Sequence, residues 1–235
     1  MGKDLVKENC PLCESLFEPN QKYGQSIFCH HCVTLYTPYW DYDLYDESYK
    51  DKYIAHWESE TNDPIQSTRW ETVQQHIKSG SLLDIGCGTG SFLRAAPRSF
   101  DCVGCDINQH CVDYCNENGI EASERMPLDH KFDVVTMFDV IEHYPNFEII
   151  YDIKCILKDN GYFIFCTPNF KPEFLRNLED WRHYRPAGEH VFCFSEKSIL
   201  TLAKIHNFEV VDINFEESKI RLPEQNIATY VLKKG

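Results

Sequence analysis

The sequence predicts an α/β protein, a mostly parallel sheet covered by helices on both faces, with a small cysteine-rich unit ahead of it. Three observations carry this expectation. From Ser81 onward, short β-branched or aromatic runs alternate with helical stretches; a glycine-rich turn joins the first of these strands to a helix; and two C-x-x-C pairs fall within residues 10–32. Alternation of this kind implies parallel strands joined by helical crossovers. A chain of 235 residues accommodates one sizeable domain and a small attachment.

The pairs at the front are Cys10-Pro11-Leu12-Cys13 and Cys29-His30-His31-Cys32, separated by 15 residues. This is zinc-ribbon spacing: each pair folds back so that two thiolates reach one ion, and four thiolates close the tetrahedron favoured by Zn²⁺ in structural sites. Cys10, Cys13, Cys29 and Cys32 are therefore the expected metal ligands, with no position left open for catalysis, and His30 and His31 are expected spectators. Leu16-Phe17 and Tyr23 to Phe28, with Asn20 and Gly24 as turn formers, suit a hairpin too small to hold without metal. The expected ribbon spans residues 1–38.

Residues 39–80 read as an aromatic connector followed by a helix leading into the main body. Tyr36 to Trp57 is crowded with Tyr, Trp and Asp, too polar for a core strand and too aromatic for a flexible linker. Asp63-Pro64 supplies an N-cap and a first-turn proline, and Ile65, Trp70, Val73 and Ile77 follow at roughly helical spacing up to Gly80.

Residues 81–235 form the expected main domain. Its elements are a strand at Leu82-Leu83-Asp84-Ile85, a helix from Ser91, a strand from Cys102 to Asp106, a helix from Asn108 to Gly119, and a strand from Phe132 to Phe138. A helix around Phe147 to Leu157 closes near Gly161, Tyr162 to Cys166 is a strand, and Ser195 opens a helix running to Asn207. Phe208 to Phe215 and Ile227 to Leu232 are the last strands. No helix fits between them, because Glu216 to Asn226 is charged and contains Pro223, so the final strand is expected to return antiparallel.

Charge narrows the function classes. The 23 Lys+Arg against 37 Asp+Glu give −14, which opposes broad attraction to phosphate backbones or anionic lipid. No apolar run is long enough to span a membrane, and Met1 to Glu8 has no segment of signal-peptide length, so a reducing cytoplasm is the expected compartment for the 12 cysteines. Cys102-Val103-Gly104-Cys105 also matches C-x-x-C, but it lies in a strand, where alternate residues face opposite ways, and reads as structural.

Asp84-Ile85-Gly86-Cys87-Gly88-Thr89-Gly90-Ser91 runs from a strand through three alternate glycines into a helix. Such glycines let the backbone approach a ligand, and the helix start supplies N–H donors. Asp106, twenty residues beyond Gly86, ends the second strand, where a carboxylate can accept from both ribose hydroxyls. Ser91 stands where a dinucleotide fingerprint would need glycine, and Asp84 at the loop mouth suits a cofactor bearing an α-amino group rather than a pyrophosphate.

On these residues the sequence resembles the class I S-adenosylmethionine-dependent methyltransferases, whose loop reads D-x-G-x-G-x-G, matched from Asp84 to Gly90. The resemblance covers roughly residues 45–235. It extends through Val103-Gly104-Cys105-Asp106-Ile107, Phe132-Asp133-Val134-Val135, Asp139-Val140-Ile141-Glu142-His143, and Leu157 to Tyr162. It implies a Rossmann-like seven-stranded sheet with an antiparallel last strand, S-adenosylmethionine as cofactor, and contacts to it from Asp84, Gly86, Cys87, Gly88, Gly90, Asp106, Ile107 and Phe138. The adenine is expected beside the segment before Phe132, where Ser123 and Met126 stand and Ala122 occupies the place of the family's usual acid.

The acceptor must be held in line with the methyl group and, if it is a hydroxyl, lose a proton. His143, at the C-terminal edge of the sheet, and His190, in the long stretch after the fifth strand, are the candidate bases. Glu142 is a further catalytic candidate, with Tyr184 and Glu189 behind it. The sequence is similar to ubiquinone-pathway O-methyltransferases and to small-RNA 2′-hydroxyl methyltransferases, which implies a second reading. Asp139, Glu142, His143 and His190 would then hold a second divalent metal, Mg²⁺ or Mn²⁺. Trp181-Arg182-His183-Tyr184-Arg185 is the only dense group of stacking and cationic side chains; it reads as a lid or as a grip on a substrate phosphate.

A four-cysteine ribbon joined to this methyltransferase type is similar to sugar methyltransferases. The expected reaction is therefore methylation of a hydroxyl of a small molecule, a sugar or nucleotide-linked sugar, with neither membrane nor nucleic acid as partner. The alternatives are an RNA or protein methyltransferase and a non-catalytic module that binds the cofactor.

Overall fold

The computed structural model of the chain describes residues 3–4, 7–18, 21–46, 48–51, 54, 62–185, 188–221 and 226–235. Trp57 of the connector, the turn former Asn20, the side chain of Asp63 and Pro223 lie outside the described residues. In chain order the strands are β1 (Lys3–Asp4), β2 (Lys22–Tyr23), β3 (Ser26–Cys29), β4 (Thr34–Tyr36), β5 (Tyr39–Trp40), β6 (Gly80–Ile85), β7 (Phe100–Cys105), β8 (Ala122–Ser123), β9 (Phe132–Phe138), β10 (Leu157–Pro168), β11 (Phe192–Phe194), β12 (Phe208–Asn214) and β13 (Ile227–Lys234). The helices are α1 (Asn62–His76), α2 (Ser91–Arg94), α3 (Gln109–Glu117), α4 (Glu148–Ile156), α5 (Glu196–Ile205) and α6 (Glu216–Ile220).

Seven strands form the main sheet in the order β12-β13-β10-β9-β6-β7-β8. β6 pairs parallel with β7 and β9, β10 pairs parallel with β9, and β13 runs antiparallel to both β10 and β12. The sheet is thus Rossmann-like, with the antiparallel last strand read from the sequence. Side-chain alternation divides the core between its faces. Leu82, Val134, Ile164 and Val231 join Trp70, Val73 and Phe92 of α1 and α2, whereas Leu83, Val135, Phe163 and Tyr230 join Ile150, Ile153, Ile199 and Leu202 of α4 and α5.

Most expected elements fall where the pattern places them. Asn108 and Ser195 cap α3 and α5 by accepting from the backbone N–H of His110 and Ser198. α1 starts at Asn62, one residue ahead of the expected cap. Two differences have physical causes. A short helix, α6, does lie between the last two strands; its five residues are too few for a parallel crossover, so β13 still returns antiparallel. β10 begins at Leu157 rather than Tyr162, because pairing with β9 resumes after a register break that Asn160, with φ 62°, takes up.

The front unit is joined to the main body. β2, β3 and β4 form an antiparallel meander with Gly24 (φ 56°) in the first turn, and β11, more than 150 residues away, adds to it beside β4. Cys10, Leu12, Cys29, Cys32 and Tyr36 belong to the same buried cluster as Ile150, Phe163 and Phe192.

Candidate active site

The glycine loop leaves β6 at its C-terminal end. Gly86, Gly88 and Gly90 have φ of 72°, 53° and 77°, the left-handed region that side chains resist. A Cβ on Gly86 would also strike Val140. The loop is tied to β7 by Gly86 N–H donating to Cys105 O at 2.7 Å. The Asp106 carboxylate, just beyond β7, accepts from the backbone N–H of Gly88 at 2.8 Å and of Asn108 at 2.9 Å. Each of its oxygens keeps a second lone pair.

Two cavities meet at this edge. The first, of about 380 Å³, is lined by Gly86, Gly88, Asp106, Ile107, Met126 and Tyr144. The second, of about 540 Å³, takes in Asp84, Cys87, Phe138, His143, His190 and Arg182. The expected cofactor residues therefore divide between them. Cys87 turns its sulfur inward, where a Cβ on Gly104 would lie 2.7 Å from it, so this residue offers its backbone. A Cβ on Gly90 would meet Ile120 at 2.6 Å, and this glycine serves the turn into α2. Ser123 donates to Arg125 O at 2.7 Å, whereas Glu124, passed over in the sequence, lines the first cavity with Met126.

Asp84 is buried and accepts from Thr136 Oγ1 at 2.7 Å. Burial raises its pKa to about 7 against the pull of that hydrogen bond and of Arg69. A cation arriving beside it is therefore compensated by the carboxylate.

In the second cavity, Ile141–His143 forms a single turn after β9. Glu142 is buried, accepts from Thr167 Oγ1 at 3.0 Å, and is raised to about 8 by burial and by the Asp139 charge. His143 donates Nδ1–H to Glu189 O at 2.8 Å, with the Tyr45 hydroxyl 3.2 Å away, and His190 donates Nδ1–H to His183 O at 2.9 Å. A carbonyl only accepts, so in the neutral rings Nε2 carries the lone pair. Burial lowers the pKa of both imidazoles, and His143 depresses His190 further. The rings meet edge to face with centroids 4.6 Å apart, and Glu142, His143 and His190 bring one potential ligand atom each within 4.8 Å of one another.

Asp139 does not join that trio. It adopts φ 57° and pairs with Arg69 at 2.7 Å and with Arg221. Burial alone would raise its carboxyl, but Arg221 and Arg69 hold it well below the usual range. Glu217 of α6 grips Arg69 at 2.8 and 3.0 Å and pairs with Arg221, so two guanidiniums and two carboxylates compensate one another under the second cavity. Arg69 also lies 4.6 Å above the Phe138 ring. The sequence gives no sign of this network, in which Arg69 and Glu217 are bonded across 148 residues. Asp139, Cys166 and Glu217 also cluster, but the two arginines occupy the space between those carboxylates.

The Trp181–Arg185 segment packs rather than presents a stacking surface. Trp181, His183 and Tyr184 are buried, and the Tyr184 hydroxyl meets Ser26 at 3.1 Å instead of facing the histidines. Glu189 pairs with Arg185. Arg182, Arg185 and Arg221 all line the second cavity.

At the front, Cys10 and Cys32 sulfurs lie 3.6 Å apart, as do those of Cys13 and Cys29, and all four fall within 4.8 Å of one another. Thiolates about 2.3 Å from a tetrahedral zinc stand roughly 3.8 Å apart, so the donor set fits such an ion. His30 and His31 are exposed and outside the cluster.

A family model described as a methyltransferase domain matches residues 54–213. Among curated proteins, a ubiquinone biosynthesis O-methyltransferase of Actinobacillus pleuropneumoniae is 30% identical over 160 residues, 59% of this chain and 67% of that protein. A probable tRNA methyltransferase 9B of Homo sapiens is 36% identical over 89 residues, 34% of this chain and 19% of that protein. An uncharacterized protein of Methanocaldococcus jannaschii is 30% identical over 133 residues, 53% of this chain, and the match spans about half, 47%, of that relative's length. Among solved structures, magnesium protoporphyrin IX methyltransferase from Synechocystis PCC 6803 with bound S-adenosylhomocysteine superposes with a TM-score of 0.62 at 13% identity, over 82% of this chain and 97% of that one. The N-methyltransferase NodS from Bradyrhizobium japonicum, in complex with the same product, gives 0.54 at 12% identity, over 75% and 89%. At such identities the structural likeness speaks for the fold.

Proposed function

Because the chain belongs to the methyltransferase-domain family, we propose that it is an S-adenosylmethionine-dependent methyltransferase acting on a hydroxyl of a small acceptor, a sugar or nucleotide-linked sugar. When bound, the cofactor supplies a methyl group made electrophilic by its sulfonium. Asp84 is set to compensate the cofactor's amino group and Asp106 to accept from its ribose hydroxyls, with Ile107, Met126 and Glu124 beside the adenine. Gly86, Cys87 and Gly88 offer backbone to it, and Phe138 with Arg69 closes the floor.

The observation that carries this reading is the second cavity, which brings Asp84, His143 and His190 into one space with Arg182, Arg185 and Arg221. His143 or His190, neutral with a free Nε2, takes the acceptor proton, and Arg182, beside the already paired Arg185 and Arg221, meets a phosphate on the acceptor. Incubating the protein with methyl-labelled cofactor and a nucleotide-sugar pool tests it. Label in a small phosphate-bearing product supports the reading.

A metal-assisted route is favoured by one observation, the convergence of Glu142, His143 and His190. Carboxylate and imidazoles suit Mg²⁺ or Mn²⁺ acting as a Lewis acid on a hydroxyl, and these three could hold such an ion without Asp139. An RNA acceptor is disfavoured by the net charge of −14 and by the burial of Trp181, His183 and Tyr184. A non-catalytic role is disfavoured by the intact loop. Zinc at the four cysteines is part of the proposal, as is the division into a ribbon (1–38), a connector with its helix (39–80) and a catalytic body (81–235). Among the described residues no helix is long and apolar enough to cross a membrane. A cytoplasmic setting accords with twelve cysteines outside any disulfide.

A further inference from the structure

We infer that the four-cysteine unit is a positioning element for the acceptor side of the site, its strand β4 holding the segment that presents His190. The inference rests on the proposed role of His190.

The connection is continuous. Cys32 Sγ lies 3.1 Å from Thr34 Oγ1, and Thr34, Leu35 and Tyr36 pair with Phe194, Cys193 and Phe192 of β11. Tyr36 is fully buried and stacks on Phe192 with centroids 5.3 Å apart. One residue on, Thr37 N–H donates to Val191 O at 2.8 Å, while Val191 N–H donates to Glu142 O at 2.9 Å. Val191 is thus clamped between the ribbon and the catalytic turn, and His190 precedes it.

The start of the same segment is tied to the ribbon as well. Ser26 Oγ, on β3, lies 2.7 Å from Thr37 Oγ1 and 3.1 Å from the Tyr184 hydroxyl. Residues 183–185 and 188–191 are therefore tied to the ribbon, through Tyr184 to Ser26 and through Val191 to Thr37, and the His190–His183 hydrogen bond joins the two stretches. They supply Arg185, Glu189 and His190, and Glu189 O orients His143.

The cofactor side is held instead from the main sheet, through Thr136 and Cys105, and from the cap of α3, through Asn108. Ser26, Tyr36 and Thr37 are accordingly positioning residues. A unit of this size lacks the apolar core to stay rigid alone, so the metal gives the clamp its stiffness.

The test is hydrogen exchange by mass spectrometry on the full chain before and after chelation, with metal content followed by elemental analysis. The inference expects one zinc per chain, and on its removal at least tenfold faster exchange in peptides covering 183–194, with less than threefold change in 82–106. Protection of 183–194 that survives while 10–36 loses its own would overturn it, as would a wild-type protein without metal. Should chelation unfold the whole chain, Ser26→Ala decides: at full metal content it should speed exchange at 183–191 and shift the His190 imidazole resonance, and no change in either contradicts the inference. Cofactor titration of the same samples tests the methyltransferase reading separately, so the two failures are distinguishable.

Discussion

His143 and His190 meet edge to face with ring centroids 4.6 Å apart, each with Nδ1 hydrogen-bonded to a main-chain carbonyl. The two carbonyls fix both tautomers and ring orientations, and leave two unprotonated Nε2 atoms at the rim of one cavity. General-base catalysis of this kind contributes roughly 10²–10⁴ in rate. His143→Ala or His190→Ala should lower turnover by about that factor and leave cofactor affinity nearly unchanged. Steady-state kinetics paired with calorimetry checks this; parallel loss of both quantities would assign the ring a structural role.

As the proposed partner of the cofactor's amino group, Asp84 should make cofactor binding depend on pH. Its pKa in the free protein is raised to about 7 by burial, and only the carboxylate compensates an ammonium group. Affinity should therefore hold above pH 8 and fall by up to about tenfold per unit below 7. On stability the same shift has the opposite sense. A carboxyl raised on folding stabilises the free protein fully below its unfolded value of about 3.9, and that contribution is lost as pH rises through about 7. Asp84→Asn should flatten the pH dependence of affinity and weaken binding, as read by calorimetry across pH 5.5–8.5.

Gly86 has a left-handed φ of 72°, and its missing side chain leaves room for Val140. Gly86→Ala should abolish measurable cofactor binding, because strain and collision act together at the loop mouth. Gly86→Ala/Val140→Ala removes the collision but not the strain, so partial recovery of affinity is expected, and full recovery would mean that φ is unimportant here.

Arg69 compensates two carboxylates in a buried setting. Removing one partner from a buried ionic network typically costs about 3–5 kcal/mol. Arg69→Ala should destabilise the protein by that order in urea unfolding, since Asp139 and Glu217 would be left facing each other with Arg221 alone. A loss below about 1 kcal/mol, the scale of surface pairs, would place the network in contact with solvent.

Much of the fold is local in sequence and was legible for that reason. Strands such as Phe132–Phe138, the caps Asn108 and Ser195, and the loop from Asp84 to Gly90 are each set by neighbours a few residues away. What was illegible is non-local. β11 is three residues long and pairs with β4 from more than 150 residues away, so no periodicity announces it. Asp139 looks like a ligand by its spacing to Glu142 and His143, but α1 delivers Arg69 to it and the residue that ends α6 delivers Arg221, from positions far away in the sequence. The helix Glu216–Ile220 was hidden by its charge, although that charge is what places Glu217 against the two arginines.

The most direct measurement is transfer of label from methyl-labelled S-adenosylmethionine into fractionated cell extract supplemented with nucleotide sugars, with Asp106→Ala as the blank. The account predicts label in a small, phosphate-bearing product with wild-type protein and almost none with the variant. Label confined to RNA or protein, or equal counts from wild type and Asp106→Ala, would contradict it.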